Sequence, residues 1–157
     1  FGGFISVHVL GIFEPVMKFH PELFFFTPLI AAMAGSVGVQ SSAIIVQGLA
    51  NNTIIGPVVE RLLKELSLSL LNGVILSIIL LAGSYFLLGY EIHVGYTVSI
   101  ALLSVIIMAS LIGTFIPIIL NKYGVDPALA TGPFITTSND ILGILTYFTI
   151  AKIILGI

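Results

Sequence analysis

One aspartate stands within an apolar stretch near the C-terminal end of the chain. Asp140 precedes the apolar segment 144–157, and residues 131–143 around it supply hydroxyl groups and the amide of Asn139, but no Lys or Arg. A carboxylate at the centre of a bilayer costs about 2.5–3.5 kcal/mol by insertion scales, so such acids usually mark an ion path or a proton relay. We therefore expect the charge partner of Asp140 to be a mobile cation, with Asn139 as a further oxygen donor.

Helical spacing groups Asp140 with small and hydroxyl-bearing residues. Residues three and four apart share a helix face. By this rule one stripe contains Gly132, Thr136, Asp140, Gly143 and Tyr147. Small residues also let membrane helices pack closely, so packing is an alternative explanation for the two glycines. Because acids in membranes face bundle interiors or aqueous cavities, the stripe predicts the wall of a pore.

An earlier apolar segment carries a second face of small residues. Its members are Ala31, Gly35, Gly38 and Ser42. A neighbouring helix could approach closely along this face. Glycines also loosen a membrane helix, so that free carbonyl groups turn toward an aqueous lumen, as they do in transporters. Gln40 and Gln47 share another face, and interhelical hydrogen bonds explain them as well as a functional role does.

The chemistry of the donors favours a hard cation. Soft transition metals prefer Cys, Met and His ligands; the stripe offers none of these, and the chain has no Cys. Magnesium keeps several of its waters and is often held by one or two carboxylates. In a symmetric dimer, a divalent cation between two copies of Asp140 would offset their repulsion. The membrane potential supplies about 2.3 kcal/mol per charge per 100 mV, so inward flow needs no ATPase, and no ATPase motif is present.

Composition identifies the solvent of the elements that carry these residues. Apolar residues make up 58% of the 157 residues and charged residues only 8%, whereas a soluble domain carries about 25% charge. Apolar runs of about 20 residues are long enough to cross a hydrocarbon core about 30 Å thick. A net charge of −2 with no basic patch gives no support to nucleic-acid binding. We predict a polytopic α-helical membrane protein with the lipid bilayer as its surroundings.

The chain is predicted to form a single transmembrane domain over residues 1–157, with five hydrophobic helices. Their expected bounds are 1–13, 23–50, 66–88, 94–120 and 127–157, and we interpret the first as a truncated helix. The charged segment 58–65 is expected to form a separate interfacial helix on the membrane surface. No soluble linker and no internal repeat divides the chain.

The distribution of basic residues predicts the orientation in the cell membrane. Arg61, Lys64 and Lys122 fall in loops on one side, and Lys18 and Lys152 fall on the other. The positive-inside rule then places the truncated N-terminus in the cytoplasm and the C-terminus outside. With five spans and opposite termini, a parallel homodimer is a simple way to close a pore.

Several of these residues together resemble the MgtE family of magnesium channels and transporters. The similarity lies in the segment 124–130 with Pro133, Thr137, Asp140, Gly143 and Tyr147, and in Pro28, Gly35, Gly38 and Gln40 of the second helix. It implies a homodimer whose pore is lined by the second and fifth helices. On these two helices, the small residues Gly38 and Gly143 are expected to line the pore as well. The resemblance further implies that Asp140 is the acid that holds hydrated Mg²⁺, with Thr136 and Gly132 one and two turns below it. It also implies that Gly35 offers its backbone carbonyl oxygen to the ion, and that Val39 and Ala43 face the lumen.

The resemblance also implies parts outside this chain. Family members usually carry a cytoplasmic acidic domain and a cystathionine-synthase-like pair that sense intracellular magnesium, and this chain would be the pore without that regulator and without its plug helix. Many members carry Asn, Asn, Thr and Asn at positions where this sequence has Ser36, Val39, Ala43 and Gly132. Thr136 stands where many members carry Ala, so the resemblance implies a lining that is less polar above Asp140 and more polar near it.

Three other functions compete with a magnesium channel. The nearest is a related transporter of manganese, cobalt or zinc, which ion competition would distinguish. Another is a noncatalytic assembly subunit whose Asp140 pairs with a Lys of a different membrane protein. An intramembrane aspartyl protease needs two carboxylates that share a proton, and the apolar segments hold only one acid near mid-membrane. We therefore expect a transporter and not an enzyme.

Overall fold

The computed structural model describes residues 2–54 and 56–156, and every regular element in these ranges is helical. The elements are α1 (Gly2–Ile12), α2 (Glu14–Phe19), α3 (Glu22–Ala50), α4 (Val58–Phe86), α5 (Ile92–Lys122), a 3₁₀ helix (Pro127–Ala130) and α6 (Pro133–Leu155). The predicted all-α class is thereby confirmed.

Four of these helices are long and apolar enough to cross a membrane: α3, α4, α5 and α6. They contain between 23 and 31 residues, which corresponds to lengths of about 35–47 Å at 1.5 Å per residue. The first helix, α1, has 11 residues and is about 17 Å long, too short to cross a core of about 30 Å. The chain is thus a multi-pass helical protein with four candidate spans, and the fifth, truncated span remains a prediction.

The charged segment 58–65 does not form a helix of its own, contrary to expectation. It is the first part of α4, which runs without a break from Val58 to Phe86. Its sequence contains no Gly or Pro between 58 and 72 that would end a helix. Lys64 pairs with Glu60 one turn earlier at 2.8 Å, a spacing that supports a continuous helix.

The last helix begins six residues later than its sequence pattern predicts. Gly132 has φ +63° and ψ −134°, a conformation that glycine adopts readily and other residues rarely do. Pro133 then occupies the first helical turn, where its missing N–H costs nothing. Residues Pro127–Ala130 form instead a 3₁₀ turn, which the Asp126 side chain caps by accepting from the Ala128 N–H at 2.9 Å. Gly132 therefore lies before the helix and not on its stripe.

The centre of the fold is α5, which packs against α3, α4 and α6. Its fully buried positions recur about once per helical turn at Val98, Ala101, Val105 and Ala109. The fully buried Tyr147 of α6 donates its hydroxyl to the Leu23 carbonyl at 2.8 Å, which fixes α6 against the start of α3. This arrangement holds α3 and α6 side by side, with their outer faces free to form a groove.

A carboxylate groove between α3 and α6

A groove of about 650 Å³ lies between α3 and α6. Its lining comes from one face of α3 and one turn of α6: Ala31, Ala32, Gly35, Ser36, Val39, Gln40, Ala43, Thr136 and Asp140. The small α3 residues keep the groove wide, because few side chains project into it. Of the residues described at this groove, Asp140 is the only one that carries a charge.

Asp140 faces α3 at the position of a glycine. A Cβ atom added to Gly35 would lie 2.8 Å from Asp140 Oδ1 and 3.2 Å from Thr136 Cγ2. Real Cβ contacts are not this short, so a side chain at position 35 would displace the carboxylate. Gly35 thus allows the acid and its neighbouring threonine to come close to the backbone of α3.

Thr136 lies one turn before Asp140 and supplies a second side-chain oxygen to the groove. Its hydroxyl donates to the Gly132 carbonyl at 3.0 Å, and its backbone N–H donates to the same carbonyl at 3.0 Å. Because the hydroxyl proton is used in this hydrogen bond, the oxygen can only accept, and its lone pairs can bind a cation or a water. The Gly132 carbonyl accepts both bonds and is absent from the groove lining, which differs from its predicted place beside the ion.

Asn139 lies in the protein interior and not in the groove. Its side chain is fully buried, and within the described part of the chain neither its Nδ2 nor its Oδ1 has a hydrogen-bond partner. A Cβ on Gly38 would overlap the Asn139 amide, so the absence of a side chain at Gly38 makes room for it. Adjacent helix positions point about 100° apart, and here that rotation directs Asn139 toward Gly38 of α3. The structure therefore differs from the prediction of Asn139 as a metal ligand.

Gly38 and Gly143 are packing positions, again unlike the prediction that they line the pore. Gly38 meets Asn139 and also the backbone at Gly113 of α5. A Cβ on Gly143 would lie 2.7 Å from Ala34 Cβ and 3.5 Å from Val105 Cγ1. Both glycines are buried where helices approach closely, the arrangement typical of small residues in membrane bundles. The groove thus gathers Asp140, Thr136, Gly35, Val39 and Ala43 of the predicted set, but not Gly132, Asn139, Gly38 or Gly143.

Sequence reasoning gave no role to Ala32, left the role of Gln40 open, and named Ser36 only as a position where the expected lining differs from that of other family members. Ala32, Ser36 and Gln40 recur at intervals of four along α3 and are all exposed at the groove. The signal that could have identified them is this spacing, which continues the face of Gly35 and Val39. The two polar residues of this row add oxygen atoms to an otherwise apolar wall.

The groove suits an ion that keeps its water. Within the described residues there is no group of three or more His, Cys, Asp or Glu side chains that could enclose a bare metal. One carboxylate and a few neutral oxygens per chain match the way in which Mg²⁺ is held, because this ion dehydrates reluctantly. Six waters at about 30 Å³ each need about 180 Å³, and the groove volume of about 650 Å³ is ample.

Comparison with known proteins assigns the chain to a family. The family model MgtE, described as a divalent cation transporter, matches residues 27–150. The magnesium transporter MgtE of Bacillus subtilis is 38% identical over 152 residues, which cover 96% of this chain and 34% of that protein. The same-named protein of Thermus thermophilus is 32% identical over 98% of this chain and 34% of its own length.

A third relative, the magnesium transporter MgtE of Enterococcus faecalis, is 34% identical over 97% of this chain and 34% of its own length. The chain thus spans about a third of the length of these relatives. All three are named as transporters, which agrees with the expectation of a transporter and not an enzyme. With a family model over residues 27–150 and relatives aligned along nearly the whole sequence, this chain belongs to the MgtE family of divalent cation transporters.

Proposed function

We propose that this chain forms a magnesium-selective pathway through which hydrated Mg²⁺ passes into the cytoplasm down its electrochemical gradient. The observation that carries the proposal is the groove between α3 and α6. Asp140 faces α3 there at Gly35 and is the only charged side chain among the described residues that line it. The names of the three relatives, all magnesium transporters, support the choice of ion. The transmembrane potential supplies the driving force, about 4.6 kcal/mol per 100 mV for a divalent ion.

Each groove residue has a distinct role in this proposal. Asp140 attracts the ion and accepts hydrogen bonds from its bound waters, while the Thr136 hydroxyl oxygen offers a neutral acceptor one turn away. Gly35 keeps the α3 backbone close to the carboxylate, so that its carbonyl adds to the same site. Val39 and Ala43 form a weakly interacting wall beyond the acid, over which a hydrated ion can leave.

A homodimer would close the groove into a pore. In the single chain, Ala32, Ser36, Gln40 and Ala43 are exposed on the outer face of α3, beside the half-buried Asp140. A second copy related by a twofold axis would bring two such faces together and place two carboxylates around one divalent ion. The same axis would run along the pore, with the N-terminus in the cytoplasm and the C-terminus outside. In a longer protein, cytoplasmic regulatory domains preceding α1 would then lie at the inner mouth.

Uptake by liposomes tests the proposal. We expect vesicles that contain this chain and a magnesium-sensitive dye to fill with Mg²⁺ faster than protein-free vesicles, and faster still when the interior is negative. Excess Mn²⁺, Co²⁺ or Zn²⁺ outside should compete only weakly. Strong competition by one of these ions would favour the related transporter of that ion. Failure of both uptake and cation binding would favour the noncatalytic assembly subunit.

Cross-linking tests the arrangement of two copies. Because the chain contains no Cys, single cysteines report contacts without background, and we expect Ala43→Cys to give a covalent dimer with copper phenanthroline or a short bismaleimide. Ile79→Cys on α4 is the matched control, since Ile79 is 61% exposed and lies away from the groove. Equal cross-linking of both variants would mean random collision, and cross-linking of the control alone would place the interface on α4.

A further inference from the structure

A second polar cavity lies on the other side of α3 from Asp140. It has a volume of about 410 Å³ and is bounded by α3, α4 and α5. The polar residues that matter here are Ser36, Gln40, Ser41, Glu65, Asn72 and Ser110. No Lys, Arg or His is among the described residues that line it. Half of the lining residues are apolar, and the polar half consists of one acid and six neutral residues. An acid among neutral oxygen donors, with no basic residue beside it, has the chemistry of a cation site.

Glu65 is a buried acid without a basic partner. Its side chain belongs to a residue that is 9% exposed, and the Ser41 hydroxyl donates to its Oε1 at 2.7 Å. A carboxylate has about four lone-pair positions, so this bond leaves most of its capacity to accept. None of the ion pairs found in the described part of the chain includes Glu65. A buried charge that lacks a partner is costly, and a cation in the cavity would remove that cost.

Ser110 is a second buried polar residue at the cavity. It is 1% exposed and lines the cavity from α5, and its hydroxyl has no hydrogen-bond partner among the described residues. Leaving a buried hydroxyl unsatisfied costs about 1–3 kcal/mol. In this conformation the hydroxyl oxygen is closed to water, and a change of its χ1 rotamer would turn it toward the cavity, where a water bound to a cation would supply the missing bond. The volume of the cavity exceeds the roughly 180 Å³ that six waters need.

The cavity is connected with the Asp140 groove through shared residues. Ser36 and Gln40 line both spaces, so only this part of α3 separates them. Ser41, which bonds Glu65, follows Gly35 by six residues, or about 9 Å along the helix axis. The Glu65 carboxylate therefore lies nearer than that of Asp140 to the α3–α4 connection.

From these observations we infer that the Glu65 cavity is a second binding site for a hydrated divalent cation, in exchange with the Asp140 groove past Ser36 and Gln40. Glu65 supplies the charge, and Ser110 and Asn72 supply neutral oxygens to the water shell. The role as a station on an ion path rests on the proposed transport function, whereas cation binding at Glu65 does not.

Manganese binding tests this inference, because Mn²⁺ also takes oxygen ligands and its free form is counted by electron paramagnetic resonance. The chain in lipid nanodiscs should retain one binding event per chain after Asp140→Asn. Adding Glu65→Gln to that variant should weaken the remaining event at least 10-fold. Gln still accepts the Ser41 hydroxyl, so the helix contact is kept. Glu60→Gln in the same background is the control, since Glu60 lies on the same helix but outside the cavity.

The outcomes separate this inference from the proposed function. No residual binding in Asp140→Asn, or residual binding that Glu65→Gln leaves unchanged, would mean that Glu65 is only a structural hydrogen-bond acceptor. If either of these binding results is found and Asp140→Asn also loses Mg²⁺ uptake, the inference about Glu65 fails but the proposed transport function stands. If the binding that remains in Asp140→Asn depends on Glu65, but the wild-type chain passes no Mg²⁺, this inference is supported and the proposed function is overturned. If Glu65→Gln does not fold, Ser110→Ala decides, with a 2- to 5-fold weakening expected and an unchanged affinity counting against the site.

Discussion

Asp140→Asn is expected to lower the rate of Mg²⁺ influx by about 100-fold and to leave the fold intact. The substitution keeps the shape of the side chain and removes the only charge that the described residues place in the groove. Two unit charges 4 Å apart attract by about 4 kcal/mol at an effective dielectric constant near 20. Loss of about 3 kcal/mol of that attraction lowers the occupancy of the Asp140 site by about 100-fold. The loss is no smaller for Mg²⁺, because a divalent ion is attracted more strongly than a single charge.

Glu91→Gln is the matched control for this prediction. Glu91 is an exposed acid at the start of α5 whose side chain makes no capping hydrogen bond, so its neutralisation removes one charge without touching the groove. Influx should be measured with a magnesium-sensitive dye in liposomes, and circular dichroism should show equal helix content in the three proteins. If Asp140→Asn retained more than half of the wild-type rate, the ion path would have to lie elsewhere. An equal loss in Glu91→Gln would indicate a general surface-charge effect.

The residues that meet at the groove were largely predictable from sequence. An acid in an apolar segment is costly enough to require an aqueous surrounding, and this argument identifies Asp140 without any structure. The threonine one turn earlier follows from helical spacing, and Gly35, Val39 and Ala43 follow from the family resemblance. The structure brings all five to one groove.

Gly132 lies outside the groove because α6 begins at Pro133, whereas Gly38 and Gly143 were misplaced for a common reason. Helical spacing says which residues share a face, but it does not say whether that face meets solvent or another helix. Gly38 and Gly143 have the same small side chain as Gly35, and only the positions of Asn139, Ala34 and Val105 show that they are packed. These contacts join residues far apart in sequence, so no local pattern contains them.

The predicted boundaries of two helices were wrong because they were based on charge or apolarity and not on backbone geometry. The charges of 58–65 indicated a surface helix, yet nothing in the backbone interrupts α4 before Phe86. Conversely, the apolar run from Pro127 hid the break at 131–132, where the extended Thr131 ends the 3₁₀ segment and Gly132, with its positive φ, precedes α6. A Gly-Pro pair before a helix is a readable signal, and it should outweigh apolar continuity.

Gly113→Ala is expected to lower the free energy of unfolding by about 1–3 kcal/mol, the range typical of overpacked interiors. The added methyl group would overlap the Gly38 carbonyl oxygen and lie 3.1 Å from both its C and its Cα. These are backbone atoms of a packed helix, so they cannot rotate away as a side chain would. For a domain of this size the melting temperature in detergent should fall by about 2–12 °C.

The same change should reach the groove through α3. Because α5 is the central helix, pushing Gly38 away from Gly113 moves the α3 segment that also carries Gly35, and Mg²⁺ influx should fall together with stability. Gly83→Ala on α4 is the control, since nothing lies within 4 Å of an added Cβ there. Alanine favours a helix over glycine by up to about 1 kcal/mol, so this variant should melt at the same or a higher temperature and keep its influx. Equal melting temperatures for Gly113→Ala and wild type would show that α3 and α5 are not in backbone contact at Gly38, and would undermine the groove geometry built on that contact.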